Sequence, residues 1–360
     1  MNHLSDRIEH HIRGNWPMLC YLKPQSQHLV FWFSEGRKLQ SSAQGLQFYI
    51  QSFNPERPAE IWSKSSFDCF DLDLIDLEEQ YRAEHGQSFE FSSFQQSQVH
   101  QDSHQGLVSS GISAIRQGLM RKVVLSRTED FPVQKVDWLR LIWRLIQVDQ
   151  NAFRYLLLHP NMGLWCGATP EILISVAGGR FSTMALAGTR WPTQNKFPDW
   201  THKEHEEHDW VVQEILQALE PFADLNQGPA YNHQAGSMEH LRTDISGTLS
   251  NKSSIIDLAR SLHPTPAVCG FPKSSAFEFI QTHEGYDRML YSGYLGLFNP
   301  EENQGDFYVN LRCMRYELSQ FQLFVGGGIT QESNVHNEWL ETQRKMTTMG
   351  HVIAPFIEQR

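Results

Sequence analysis

Near the C-terminus an apolar run, Leu323-Phe-Val, passes through Gly326-Gly-Gly328 into a segment of helical character that carries Glu338, Glu341 and Lys345. At about 100° per residue these charges fall in one narrow sector, beside Val335, Trp339, Met346, Met349 and Val352. They therefore border the apolar face of the helix instead of opposing it. Burying an unpaired carboxylate costs far more than a surface ion pair returns, so acids placed there need a partner. Two inward carboxylates suit a hard cation, Mg²⁺ first among them. The same i, i+4 and i, i+7 spacing also fits a salt-bridged exposed helix, and this stretch alone does not separate the two. The glycines leave bare backbone for a ligand, but they match neither the dinucleotide fingerprint nor a phosphate loop.

A second amphipathic segment, Asp199–Phe222, repeats the pattern. Glu204, Glu207 and His208 lie on the side of Val211, Ile215 and Ala218, while Glu206, Asp209, Gln213 and Glu220 form the wet side. The zinc reading of His205-Glu-Glu-His208 is discounted, because the metalloprotease pattern needs its histidines four apart and these are three apart. Lys122 opens Lys122-Val-Val-Leu-Ser-Arg127, whose period-2 alternation puts Lys122, Val124 and Ser126 on one face and Val123, Leu125 and Arg127 on the other. Such a lysine is either a solvated edge residue or an amine with a chemical task. Glu171 follows Pro170 among apolar neighbours, where a carboxyl pKa rises and suits a general acid; a strand-end glutamate facing water is the alternative. The small residues of Ala185-Leu-Ala-Gly-Thr-Arg190 leave room for a ligand.

The elements that must position these residues alternate irregularly. A short N-terminal helix precedes strands at Met18–Leu22, Leu29–Phe33 and Leu46–Phe53, and Gly86–Gln105 reads as a polar connection. A helix over Gly106–Met120 leads into the Lys122 strand. After a helix at Val136–Val148, strands at Arg154–His159, Leu164–Ala168, Glu171–Val176 and Arg180–Ala187 follow like a meander. Strict βαβ alternation fails, so an α+β architecture with antiparallel sheet is expected. The 360 residues, 40% hydrophobic and 12% aromatic, are ample for a sizeable core. No signal-peptide core and no run of ~20 apolar residues appears, so a cytoplasmic protein without a membrane partner is expected. Cys20, Cys69, Cys166, Cys269 and Cys313 are scattered and never paired as C-x-x-C, which predicts reduced thiols. A net charge of −11 argues against nucleic acid, though beyond ~8 Å it is screened enough for a locally positive pocket to take a small anion.

Four further stretches complete a series: Met238-Glu-His-Leu-Arg-Thr243, Leu262-His-Pro-Thr-Pro-Ala-Val-Cys-Gly-Phe-Pro272, His283-Glu-Gly-Tyr-Asp-Arg288 with its continuation to Gly296, and Phe307-Tyr-Val-Asn-Leu-Arg-Cys313. From about residue 99 to 350 the chain resembles the chorismate-utilising enzymes, isochorismate synthases most closely; residues 1–98 contribute little. The resemblance implies an α+β fold of two large antiparallel β-sheets packed together with helices outside, within a single chorismate-binding domain over 1–360. It implies Lys122 as the base that activates water and Glu171 as the acid that protonates the departing C4 hydroxyl. Glu207 and Glu341 match Mg²⁺ ligands, with Glu338 close by and acting through water. Arg312 and Lys345 match positions that hold substrate carboxylates. Gly188, with Thr189 beside it, and Gly327 lie where backbone amides approach the substrate, and His240 and Ala267 match pocket walls.

Displacing the C4 hydroxyl of the dianion by water at C2 needs this set: a base, an acid and neutralisation of the ring carboxylate. A lysine base requires a lowered pKa. The ammonia-using branches carry glutamine in place of Lys122 or lysine in place of Ala187, so no glutaminase subunit is expected. Salicylate synthases share the lysine and the acid, and an inactive chorismate-binding relative is the other alternative. Glu206 departs from the histidine that commonly precedes the metal glutamate.

Overall fold

The computed structural model describes residues 2–36, 44–81, 98–190, 192, 197–235, 238–250 and 253–357. The chain opens with α1 (Asn2–Gly14), β1 (Met18–Leu22), β2 (His28–Ser34), β3 (Gln47–Gln51), β4 (Glu60–Ser63), β5 (Phe67–Asp73) and α2 (Leu74–Tyr81). It continues with α3 (Gln98–Arg116), β6 (Lys122–Pro132), α4 (Trp138–Ile146), β7 (Phe153–His159), β8 (Gly163–Thr169), β9 (Ile172–Ala177) and β10 (Arg180–Arg190). Then come α5 (His202–Leu219), β11 (Ala223–Gln227), β12 (Tyr231–Ala235), β13 (Met238–Leu249), α6 (Ile255–Leu262), β14 (Gly270–Phe271) and α7 (Lys273–His283). The last are β15 (Tyr294–Asn299), β16 (Gln304–Val309), β17 (Cys313–Glu317), β18 (Gln320–Ile329) and α8 (Val335–Ile353).

Among the described residues these strands make two nine-stranded sheets. One runs β14-β6-β18-β17-β8-β7-β1-β2-β5; the other runs β11-β13-β10-β9-β16-β15-β3-β4, with β12 also on β13. The pairings are antiparallel, as in the β6·β18, β10·β13 and β7·β8 ladders. The expected α+β architecture of two antiparallel sheets is observed.

Sequence alternation explains the layering. In β1, Met18, Cys20 and Leu22 join the outer core with Phe31 and Phe33 of β2, whereas Leu19 and Tyr21 face inward with Trp32. Strands covered on both faces read as continuous apolar runs, and all five residues of β1 are buried. The inner core carries Trp32 and Trp165 from one sheet against Phe48, Trp62 and Tyr308 from the other. Burying each large apolar side chain of this kind contributes about 1.5–3 kcal/mol. Helices α1, α2, α4 and α8 cover the outer face of the first sheet, and α5 and α6 cover the second. No described helix is long and apolar enough to cross a membrane.

One expectation changes. The polar connection over Gly86–Gln105 is helical from Gln98, since His104 is buried and extends the Val108, Ile112, Ile115 stripe by one turn; 86–97 lie outside the described residues. The strands preceding residue 82 belong to both sheets, β1 pairing with β7 and β3 with β15.

Candidate active site

The β6·β18 ladder brings Ser126, Leu125 and Val124 opposite Gly326, Gly327 and Gly328. Three consecutive residues without side chains let Tyr291, Glu338 and Lys122 approach the strand, where Cβ atoms would lie 2.9, 3.2 and 3.1 Å from their side chains. A cavity of about 540 Å³ lies there, lined by β6, β10, β13, β18, α5 and α8 together. Lys122, Glu171, Gly188, Glu207, His240, Ala267, Arg312, Gly327, Glu338, Glu341 and Lys345 all line it. Thr189 is in register with His240, and its side chain lies outside the described residues.

Lys122 is not an edge residue in water. Phe271 of β14 pairs beside it, and its side chain is 10% exposed. Its Nζ donates to Glu207 Oε1 at 2.7 Å, which joins the first sheet to α5 across the cavity. A Cβ on Gly328 would lie 3.1 Å from Lys122 Cε, so this glycine gives the amine its room. On α8 the predicted sector holds: Trp339, Met346 and Met349 are buried while Glu338, Glu341 and Lys345 face the cavity. Lys345 Nζ lies 2.7 Å from Glu341 Oε1 and donates to the Gly326 carbonyl at 2.9 Å. Glu338 and Glu341 converge over Gly327, where a Cβ would lie 3.2 Å from Glu338 Oε2 and 3.8 Å from Glu341 Oε1.

Glu171 enters from the other sheet, just before β9, and its carbonyl accepts the Val309 amide at 2.9 Å. Burial pushes its carboxyl up to about 7, against the opposing pull of Lys345, Lys122 and Arg312. Desolvation outweighs three nearby cations, so the apolar surroundings expected from the sequence do raise this pKa. Arg312 has φ 48°, a left-handed conformation that costs a non-glycine residue about 1 kcal/mol or more, and donates to Thr348 Oγ1 at 3.2 Å. Its guanidinium pKa is lowered by burial, with Asp149, Glu171 and Tyr291 opposing.

Gly188 is the extra residue of a bulge between Ala187 and Thr189 in the β10·β13 ladder, with φ 70°. Its carbonyl accepts from His240 Nδ1 at 3.0 Å, and burial lowers the His240 pKa. On α5, Glu204 also lines the cavity but serves a capping box, accepting the Thr201 amide at 2.8 Å. His208 is buried against Thr243 Oγ1 at 2.8 Å, so the His205–His208 run forms no zinc pair.

Glu207, Glu338 and Glu341 offer hard oxygen donors from two helices to one space. Among the described residues no group of three or more His, Cys, Asp or Glu side chains is clustered so as to hold a metal ion. Mg²⁺ needs only one or two carboxylates and keeps waters and substrate oxygens, so this donor set fits an open site.

The sequence reading assigned no role to a buried pair beneath the Lys122 strand. Glu284 Oε1 accepts from the Ser126 amide at 2.7 Å and from its hydroxyl at 2.9 Å, and the Glu284 carboxylate pairs with Arg288. Arg288 in turn donates to the carbonyls of Val268 at 2.9 Å and Val124 at 2.6 Å. The pair thus ties the Lys122 strand to the loop of Ala267. Its i, i+4 spacing was the available signal.

The family model for chorismate binding enzymes matches residues 56–354. Over 257 residues the chain is 34% identical to the salicylate biosynthesis isochorismate synthase of Pseudomonas aeruginosa, covering 69% of this chain and 54% of that protein. Over 244 residues it is 32% identical to the isochorismate synthase EntC of Escherichia coli K12, covering 65% and 62%. The chain therefore spans between about half and three fifths of the length of these curated relatives. Two solved structures share the fold. The putative 2,3-dihydroxybenzoate-specific isochorismate synthase DhbC of Bacillus anthracis superposes with a TM-score of 0.75 at 22% identity over 97% of this chain and 99% of that one. The menaquinone-specific isochorismate synthase MenF of Escherichia coli does so with 0.73 at 20% identity over 94% and 89%. The span matched by the family model contains every residue that lines the cavity, from Lys122 to Met349, and the chain belongs to the chorismate binding enzymes.

Proposed function

We propose that this protein is a Mg²⁺-dependent isochorismate synthase, which converts chorismate to isochorismate by adding water at C2 with loss of the C4 hydroxyl. One observation carries the reading: a single cavity receives an amine from one sheet, Lys122, and from the other a carboxyl that burial pushes up to about 7, Glu171. Base and acid thus approach a bound ring from different walls, as displacement of one hydroxyl by another requires.

In this reading Lys122 takes a proton from the attacking water and Glu171 gives one to the C4 oxygen as it departs. Arg312 and Lys345 hold the substrate's carboxylates, and the buried bulge at Gly188 keeps the backbone close to it. Glu207 and Glu341, with Glu338 through water, would hold Mg²⁺, which when bound neutralises the ring carboxylate and favours departure of the hydroxyl. Buried Ala187 lines the cavity without an amine, which leaves water as the nucleophile and requires no ammonia-supplying subunit. The relatives' names support the same reaction class. Residues 1–360 are read as one catalytic unit, supported by the early strands that pair within both sheets.

The test is purified protein with chorismate and Mg²⁺, products separated by chromatography and pyruvate followed by a coupled dehydrogenase. Isochorismate approaching equilibrium from either side, without stoichiometric pyruvate, is the expected result. Stoichiometric salicylate and pyruvate would replace this reading with a salicylate synthase. Binding of chorismate without turnover would leave an inactive relative.

A further inference from the structure

We propose that Arg127 is a positioning residue that fixes the rotation of α8 and thereby aims Glu338 and Glu341 into the cavity. The inference rests on the metal-site reading of those acids. Arg127 lies on the face of β6 opposite Lys122 and is buried, at 7% exposed. Its Nε donates to Thr342 Oγ1 at 2.9 Å, and its guanidinium lies 4.1 Å over the Trp339 ring. Its Nη1 donates to Glu129 Oε2 at 2.7 Å, which balances the buried charge. Thr342 is fully buried, and its hydroxyl donates to the Trp339 carbonyl at 2.7 Å. From α3, buried His104 packs against the same indole, with ring centroids 5.7 Å apart.

The two residues that Arg127 grips each follow one of the two acids in sequence. Glu338 precedes Trp339 and Glu341 precedes Thr342, so about 100° of helix separates the gripped side from the acid side. On a helix about 5–6 Å in radius with its side chains, a rotation of about 20° swings a carboxylate by about 2 Å, the length of a metal–oxygen bond. A planar guanidinium holds a hydroxyl, a carboxylate and a ring face at once in one rigid fork, a geometry that a compact ammonium does not reproduce. One strand therefore fixes both halves of the site, Lys122 directly on one face and the α8 acids through Arg127 on the other.

The test uses Thr342→Val, which keeps the volume and removes the hydroxyl, Thr342→Ser, which keeps the hydroxyl, and Arg127→Lys. Mg²⁺ affinity is read by titration calorimetry without substrate, alongside kcat at saturating Mg²⁺ and the melting temperature. Thr342→Val and Arg127→Lys are expected to weaken Mg²⁺ binding about tenfold, the usual effect of losing an outer partner of a metal ligand, with kcat within about twofold. Thr342→Ser is expected to retain the wild-type affinity. A lowered melting temperature with unchanged Mg²⁺ affinity in Thr342→Val would overturn the inference and leave the metal reading intact. Absence of saturable Mg²⁺ binding in the wild type would remove the metal reading and this inference with it.

Discussion

Replacing Glu171 by glutamine tests the acid assignment without needing any substrate. The carboxyl's ordinary value of 4.5 is pushed up to about 7 by burial, a difference that corresponds to about 3 kcal/mol at about 1.4 kcal/mol for each pH unit. A carboxyl raised in the folded protein is most favourable when protonated. Its contribution is fully present below about pH 4.5 and is lost as pH rises through about 7. Glutamine of similar shape does not titrate. Denaturant unfolding of both proteins should therefore show the stability of Glu171→Gln relative to wild type rising by about 3 kcal/mol between about pH 4.5 and about pH 8. In the proposed reaction this is the proton that Glu171 gives to the departing hydroxyl. Wild-type kcat/KM should fall about tenfold per pH unit above about 7, and Glu171→Gln should be slower by about 10²-fold or more and lose that limb. A stability difference that stays flat with pH would mean that Glu171 titrates as an exposed carboxylate, and the acid role would lose its basis.

Lys122→Ala should lower kcat by about 10²-fold or more with a smaller effect on KM, whereas Arg312→Ala should act mainly on KM; steady-state kinetics separate the two. Gly327→Ala places a Cβ 3.2 Å from Glu338 Oε2, so that carboxylate must move and the Mg²⁺ concentration for half-maximal rate should rise; an unchanged Mg²⁺ requirement would count against Glu338. Arg288→Met leaves Glu284 charged and buried and should cost about 3–5 kcal/mol by denaturant unfolding. Glu207→Gln and Glu341→Gln should each abolish Mg²⁺-dependent turnover while circular dichroism stays native, since each removes a charged donor from the proposed hard-cation site.

Much of the site was legible because it follows from two periodicities. Period 2 put Lys122, Val124 and Ser126 on one face, and Lys122 and Val124 line the cavity. The helical period put Glu338, Glu341 and Lys345 beside Met346 and Met349, where the structure has them. The apolar neighbours of Glu171 point to the raised carboxyl pKa that burial produces, although strand β9 starts one residue later than expected. What stayed hidden depends on contacts between distant segments. Arg127 was placed on the correct face, but its grip on Thr342 spans 215 residues of sequence. Glu284 reaches Ser126 across 158. The first 81 residues carry no chemical motif, and their apolar strands do not announce that they complete both sheets. The start of the helix at Gln98 is hidden in the sequence because a Gln-, Ser- and His-rich turn looks like a loop until Trp339 covers His104.

In the proposed reaction water is the nucleophile that replaces the C4 hydroxyl. The most direct measurement is turnover of chorismate in water enriched in the heavy oxygen isotope, with the product examined by mass spectrometry and its hydroxyl position located by fragmentation. Isochorismate carrying a single solvent oxygen at C2, formed by the wild type and lost in Lys122→Ala, is the predicted result. Unlabelled isochorismate would mean that the hydroxyl migrates within the substrate, and the pairing of Lys122 as base with Glu171 as acid would be contradicted.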